Sequence, residues 1–249
     1  MGRLLIQPTV RTLDDYSVFA SEHGLGFEVV DFAFPDVLDS DVAAVLDRYR
    51  SFVGQERLVS AHGPFLDLYL NSPDAAIRRV AAERIGQALT VADELGLQFV
   101  VFHTNWLPMV RWPAYSERWV EFHVRFWLLE NMWDASPEPL ARVLGGVGSP
   151  RLEACLDTGH HLLFSHEPLE RWFRVLGSNI AYLHLTDNMG DVDSELALGT
   201  GVVDWPELTT LVDRYCDQPY AVIETAGLER IRASLSFLQK EGIYPFDGR

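Results

Sequence analysis

The chain has 249 residues, 48% of them hydrophobic, and carries a formal net charge of −16. That length supports one large core, and the acidic balance with scattered arginines leaves no basic stripe of the kind that neutralises nucleic-acid phosphates. Lys240 is the only lysine among 20 basic residues, which argues against a Schiff-base lysine on a strand and against a Gly-Lys-Ser/Thr phosphate loop.

Short apolar, β-rich runs alternate with amphipathic helical stretches from the start. A strand is predicted at Leu4–Pro8, a helix at Leu13–Glu22 and a strand at Phe27–Phe32. Then come a helix at Asp41–Phe52, a strand at Leu58–His62, a helix at Pro73–Leu95 and a strand at Phe99–His103. The connection from Thr104 to His123 breaks the rhythm: it holds Pro108, Pro113 and three tryptophans, and only Tyr115–Glu121 reads as helical. The pattern resumes with a strand at Val124–Glu130, a helix at Pro137–Leu144, a strand at Leu152–Asp157 and a helix at Leu169–Leu176. It ends with a strand at Ile180–Leu185, a helix at Trp205–Tyr215, a strand at Tyr220–Glu224 and a helix at Leu228–Lys240. Strands separated by crossover helices imply a parallel sheet. Eight of them predict an α/β chain folded as a single (β/α)₈ barrel over residues 1–249, with a short or irregular fourth helix; a doubly wound open sheet is the alternative.

No segment reaches the ~18 uninterrupted apolar residues of a membrane span. The apolar run in MGRLLIQPTV is too short for a signal peptide, and two cysteines, Cys155 and Cys216, make no disulfide framework. A cytoplasmic location is the expectation.

The chemistry lies where the strand runs end. His62, His103, Glu130, Asp157 and Glu224 close five of them, and His184 stands one residue before the end of another. Apolar residues lead up to each, in LVSAH, FVVFH, FWLLE, ACLD, AYLH and AVIE. An ionisable group at the end of a buried strand is costly unless it is paired or bound to metal. In a barrel these ends meet at one rim, and six ligand-type residues there call for a divalent cation. His160 follows Asp157 by three residues in DTGHH, a spacing that turns both toward one cavity. Asp187, Asp193 and Glu195 follow His184 on a glycine-containing loop that can bring acids back over the rim. His23, His123, His161 and His166 read as peripheral and Cys155 as interior packing. Trp106 and Trp133 lie just beyond strand ends, where either could form an apolar wall against a sugar ring.

The ordered set AHGPFLDL, VVFHTNW, LLENM, CLDTGHH, YLHLTDNMGDVDSELALGTGVVDW and AVIET resembles the xylose isomerase-like TIM-barrel superfamily. That group holds sugar epimerases and isomerases, inosose dehydratases and AP endonucleases of the endonuclease IV type (family 2). The resemblance runs from about Gly26 to Ala226 and is most specific between DTGHH and LGTG. It implies a metal quartet of Glu130, Asp157, His184 and Glu224, with Glu130 and Glu224 also moving protons as catalytic residues. It implies substrate contact for His160, with His62, His103 and Trp106 as further candidates. It also makes His62, His103, His160, Asp193 and Glu195 candidates for a second ion. Glu195 stands where the three-zinc endonucleases carry histidine, a departure that weakens the case for a third zinc.

The function this implies is isomerisation or epimerisation of a small sugar or sugar-like molecule through an enediolate, with Zn, Mn, Co or Mg as the ion. Two alternatives share the residues: an endonuclease IV-like zinc phosphodiesterase acting on abasic DNA, and an inosose-type dehydratase. The −16 charge counts against nucleic acid as a partner. A small-molecule partner, no membrane and an open oligomeric state complete the expectations.

Overall fold

The computed structural model describes residues 3–40, 42–52, 57–110, 115, 117, 128–149 and 151–248. Eight parallel strands close into a barrel in sequence order: β1 (Leu4–Ile6), β2 (Gly26–Val29), β3 (Leu58–His62), β4 (Phe99–His103), β5 (Leu128–Glu130), β6 (Glu153–Asp157), β7 (Ile180–Leu185) and β8 (Tyr220–Ile223). Strand β1 pairs with both β2 and β8, so no edge is left open. The predicted barrel is therefore the observed fold.

Among the described residues the helices are α1 (Leu13–His23), α2 (Pro35–Ser40), α3 (Val42–Phe52), α4 (Ala75–Leu95), α5 (Glu138–Val147), α6 (Thr158–Phe164), α7 (Leu169–Leu176), α8 (Trp205–Tyr215) and α9 (Leu228–Glu241). They pack on the sheet through stripes of helical period. In α7 the stripe is Leu169, Trp172, Phe173 and Leu176, all buried. Each such side chain contributes about 1.5–3 kcal/mol on burial. Trp172 keeps its indole proton satisfied by donating to Ser165 Oγ at 2.8 Å.

Some boundaries differ from the sequence reading for physical reasons. Strand β1 stops at Ile6 because Pro8 has no N–H to give the ladder. Strand β2 stops at Val29, and Asp31–Ala33 wind into a 3₁₀ turn. There the Asp31 carboxylate accepts from Val10 N at 3.0 Å and Tyr49 OH at 2.6 Å. Helices α2 and α6 were not foreseen. Helix α6 springs straight from β6 because the Asp157 side chain caps it, accepting from His160 N at 2.5 Å. In the fourth connection, residues 111–114, 116 and 118–123 lie outside the described residues, and with them Trp112, His123 and all of the expected Tyr115–Glu121 helix except Tyr115 and Glu117; Trp127 of the predicted fifth strand lies outside them too. No helix among the described residues is long and apolar enough to cross a membrane.

Candidate metal centre

Side chains on a strand alternate in direction, so residues two apart share a face. Leu5, Val101, Leu128, Cys155, Tyr182 and Val222 form an apolar layer inside the barrel. Two residues further up the same strands stand Gln7, His103, Glu130, Asp157, His184 and Glu224. The period of two that builds the core therefore also lifts the polar set to the C-terminal rim. Gly26, opposite Leu5 in the ladder, is needed here: a Cβ on it would lie 2.5 Å from Leu5 Cδ2.

The quartet expected from sequence is assembled. One ligand atom from each of Glu130, Asp157, His184 and Glu224 lies within 4.8 Å of the others. His184 Nδ1 is 2.9 Å from Glu224 Oε2 and 3.3 Å from Glu130 Oε2. Glu130 is further surrounded by His62 Nε2 and His103 Nε2, each 3.4 Å from Oε2, and by His160 Nδ1, 3.1 Å from Oε1. Despite these distances, both oxygens of Glu130 and both ring nitrogens of His184 are buried without an aligned hydrogen bond. Buried polar atoms are nearly always bonded. The protein itself leaves these Glu130 and His184 atoms unmatched, and three carboxylates with an imidazole are a donor set that suits a divalent cation. Asp157 is braced by its neighbours: Thr186 Oγ1 donates to Oδ2 at 2.5 Å, and the Asn131 side chain clamps its backbone on both sides.

The electrostatics agree. Burial pushes Glu130 up, yet the charges of His184 and His103 more than offset this and hold it well below the carboxylate range. Glu224 is also lowered, chiefly by His184 acting against burial. Asp157 is raised by burial, which His160 only partly counters. His184 is raised well above the imidazole range although burial opposes it, by Cys155, Glu224, Glu130 and Glu28. Burial pushes the Cys155 thiol so far up that it is neutral, so the carboxylates are the cause. This cluster demands positive charge, supplied by protons on histidine or by an ion.

Above the quartet opens a cavity of about 300 Å³. Its polar side holds His62, His103, His160, Asp157, Asp193, Glu195 and Glu224, and its apolar side is formed by Val30, Ala33, Phe34, Phe65 and Met132. Among the described residues, no lysine or arginine is part of this lining.

Residues 19–241 match the model of the xylose isomerase-like TIM barrel family. The chain belongs to that family. An uncharacterised Methanocaldococcus jannaschii protein, MJ1311, is 27% identical over 172 residues, which is 60% of this chain and 58% of that protein, so the match spans under two thirds of the relative. Among solved structures, the Thermus thermophilus protein TTHB071, soaked with ZnCl2, is 28% identical with a TM-score of 0.78 and covers 100% of both chains. A D-tagatose 3-epimerase-like protein is 21% identical, with a TM-score of 0.72 over 94% of this chain and 96% of that one. The Escherichia coli 3-keto-D-glucoside 4-epimerase YcjR is 16% identical, with a TM-score of 0.69 over 96% and 100%.

Within this xylose isomerase-like barrel, the structure gathers His62, His103, His160, Asp193 and Glu195 at one cavity, with His160 Nε2 3.3 Å from Asp193 Oδ2. Asp187 is not among them. It is fully buried behind the β7–α8 loop and accepts from Gly199 N, Gly201 N, Val203 N and Trp205 Nε1 at 2.9–3.3 Å. Trp106 is also elsewhere: its ring packs on Tyr115 at 5.0 Å and is absent from the cavity lining. Trp133 lines a separate apolar pocket with Leu107 and Phe164. His161 packs on Trp172 and bonds to the Glu167 carbonyl, and Lys240 is exposed beside Glu241.

The sequence reading missed Gln7, Glu28 and Asp134. A lone carboxylate inside the apolar run GFEVV was the available signal for Glu28. Asp134 is buried and accepts from Thr104 Oγ1 at 2.6 Å and Met132 N at 3.1 Å. Burial, opposed by the Thr104 hydrogen bond, still pushes it up to about 6. A folded value above the unfolded one means stability is complete below pH ~4 and is lost as pH rises through about 6. Asn keeps both accepted bonds without the charge. Asp134→Asn is therefore expected to stabilise the protein above pH 6 by about 1–3 kcal/mol, with no gain at pH 4, in urea melts across that range. An equal gain at both pH values would show that charge is not the cause.

Proposed function

We propose that this barrel is a metal-dependent isomerase or epimerase of a small, uncharged sugar or sugar-like polyol. The observation that carries the reading is the convergence of ligand atoms from Glu130, Asp157, His184 and Glu224, with both Glu130 oxygens and both His184 nitrogens buried and without an aligned hydrogen bond. A divalent cation held by this quartet supplies Lewis-acid polarisation of a carbonyl and its neighbouring hydroxyl. Glu224, with its side chain 19% exposed to the cavity, takes the proton beside that carbonyl. Glu130, 1% exposed and 3.3 Å from His184 Nδ1, is its partner in returning a proton to the planar enediolate. His62, His103 and His160 face the same space and supply donors for substrate hydroxyls. Phe65 packs edge-on to His62 at 5.5 Å and gives a sugar an apolar face to lie on. The carboxylates that the described residues place in the lining disfavour phosphorylated substrates. The two epimerase-related neighbours support the class through the shared fold.

A second reading draws on the His62–His103–Glu130 group, which also converges closely enough to hold an ion. Two ions ~3.5–4 Å apart would suit a phosphodiesterase. One experiment separates the two. The metal-loaded protein is incubated in deuterated water with a panel of free ketoses and inososes, and exchange beside the carbonyl is followed by NMR. Metal-dependent exchange is expected on at least one of them, with one ion per chain. Exchange on none, together with cleavage of abasic-site DNA, moves the assignment to the phosphodiesterase.

A further inference from the structure

Behind His184, on the side away from the cavity, lies a carboxylate that the proposed chemistry does not use. Glu28 of β2 has no solvent exposure. Its Oε1 accepts from Gln7 Nε2 at 2.9 Å and lies 3.1 Å from His184 Nε2. Its Oε2 accepts from Ser60 Oγ at 3.1 Å and Tyr182 OH at 2.9 Å. The Gln7 amide nitrogen also donates to Glu224 Oε1 at 3.1 Å, leaving Oε2 of that glutamate for the quartet. Such a buried ion is costly unless a positive or donor group faces each side of it. Three sides are taken by neutral donors, and the fourth is His184.

We propose that Glu28 is a positioning residue for the metal centre: its carboxylate orients the His184 ring so that Nδ1 faces the ion, and through Gln7 it steadies Glu224. An anion at Nε2 favours the tautomer that carries its proton there. The lone pair is then on Nδ1, 2.9 Å from Glu224 Oε2 and 3.3 Å from Glu130 Oε2. The contact to Nε2 is not aligned as a formed hydrogen bond, but a full charge at 3.1 Å in a dry interior acts without that alignment. Carboxylates behind histidine ligands raise ligand basicity and fix the ring, and their loss typically weakens metal binding about 10–100-fold.

This inference rests on the quartet being a metal site. The test strips the protein of metal and titrates it with Zn2+ and Co2+ against a competing chelator. Glu28→Gln is expected to weaken both ions by about 10–100-fold and to change the visible spectrum of the Co2+ form, while the metal-free melting temperature stays near that of the wild type. Ser60→Ala removes a bond to Glu28 but keeps its charge, and should alter affinity by less than about 3-fold if the charge matters most. Should Glu28→Gln not fold, Glu28→Asp replaces it: the charge remains at shorter reach, and a loss of about 3–10-fold is expected. Wild-type affinity and spectrum in Glu28→Gln, or in Glu28→Asp where that variant stands in, overturn the proposal. So does an equal loss in Ser60→Ala, which would mark a packing effect. A wild-type protein that binds neither ion refutes the metal reading itself, and with it the role of Glu28.

Discussion

Glu224→Gln is expected to lower the rate of proton exchange by at least about 10²–10⁴-fold, the usual cost of losing the base in a proton-transfer step. The loss should exceed that range, because one side chain serves two ends. Gln7 can still donate to the amide oxygen at the Oε1 position, so the side chain stays where it is. The NH2 group then points at His184 Nδ1, where Glu224 Oε2 had been at 2.9 Å, and puts donors into space that an ion would fill. Glu130→Gln meets a harsher setting. His62, His103, His160 and His184 all lie 3.1–3.4 Å from its oxygens, and the lost charge leaves them without their shared anion. The check is single-turnover exchange at saturating metal, with metal content measured on the same samples. A Glu224→Gln protein that keeps its ion and more than a tenth of wild-type exchange would remove Glu224 as the base.

Asp187→Ala is expected to be the most destabilising substitution at the rim, although Asp187 does not face the cavity. Four donors from the β7–α8 loop and the start of α8 end on its buried carboxylate. Bonds to a charged acceptor are worth about 1.5–3 kcal/mol each and do not add fully, so a loss of roughly 3–5 kcal/mol is expected. At this chain length that corresponds to a fall in Tm of about 10 °C. Gly201→Ala should cause a related defect, since a Cβ there would lie 2.2 Å from Asp187 Oδ1 and 2.4 Å from the Asn188 carbonyl. The same loop carries Asp193 and Glu195 to the cavity, with Glu195 held at a positive φ of 43° and its carbonyl accepting from Thr225 Oγ1 at 2.6 Å. A raised KM in both variants should therefore accompany the loss of stability. Calorimetric melts within about 2 °C of the wild type would show that the carboxylate does not hold the loop.

The sequence by itself determined the strand–helix alternation, because that follows from local hydrophobic period and is readable residue by residue. It also determined which strand ends carry His62, His103, Glu130, Asp157, His184 and Glu224, since each breaks an apolar run in a way burial would punish without a partner. Closure of the barrel was decided by the pairing of β1 with β8, a contact across most of the chain that local pattern does not encode. The roles of Asp187 and Glu28 were tertiary decisions too. Both are acidic residues whose meaning depends on which donors the fold brings to them. Asp187 looked like a rim acid and became the anchor of its loop, because the turn at Gly199 and Gly201 folds their N–H groups back onto it. Glu28 is a lone carboxylate among the apolar residues of GFEVV, and only the barrel sets His184, Gln7, Ser60 and Tyr182 around it from three other strands or their ends. Trp106 was misplaced for the same reason: distance along the chain from a strand end does not fix the direction in which the following loop leaves the rim.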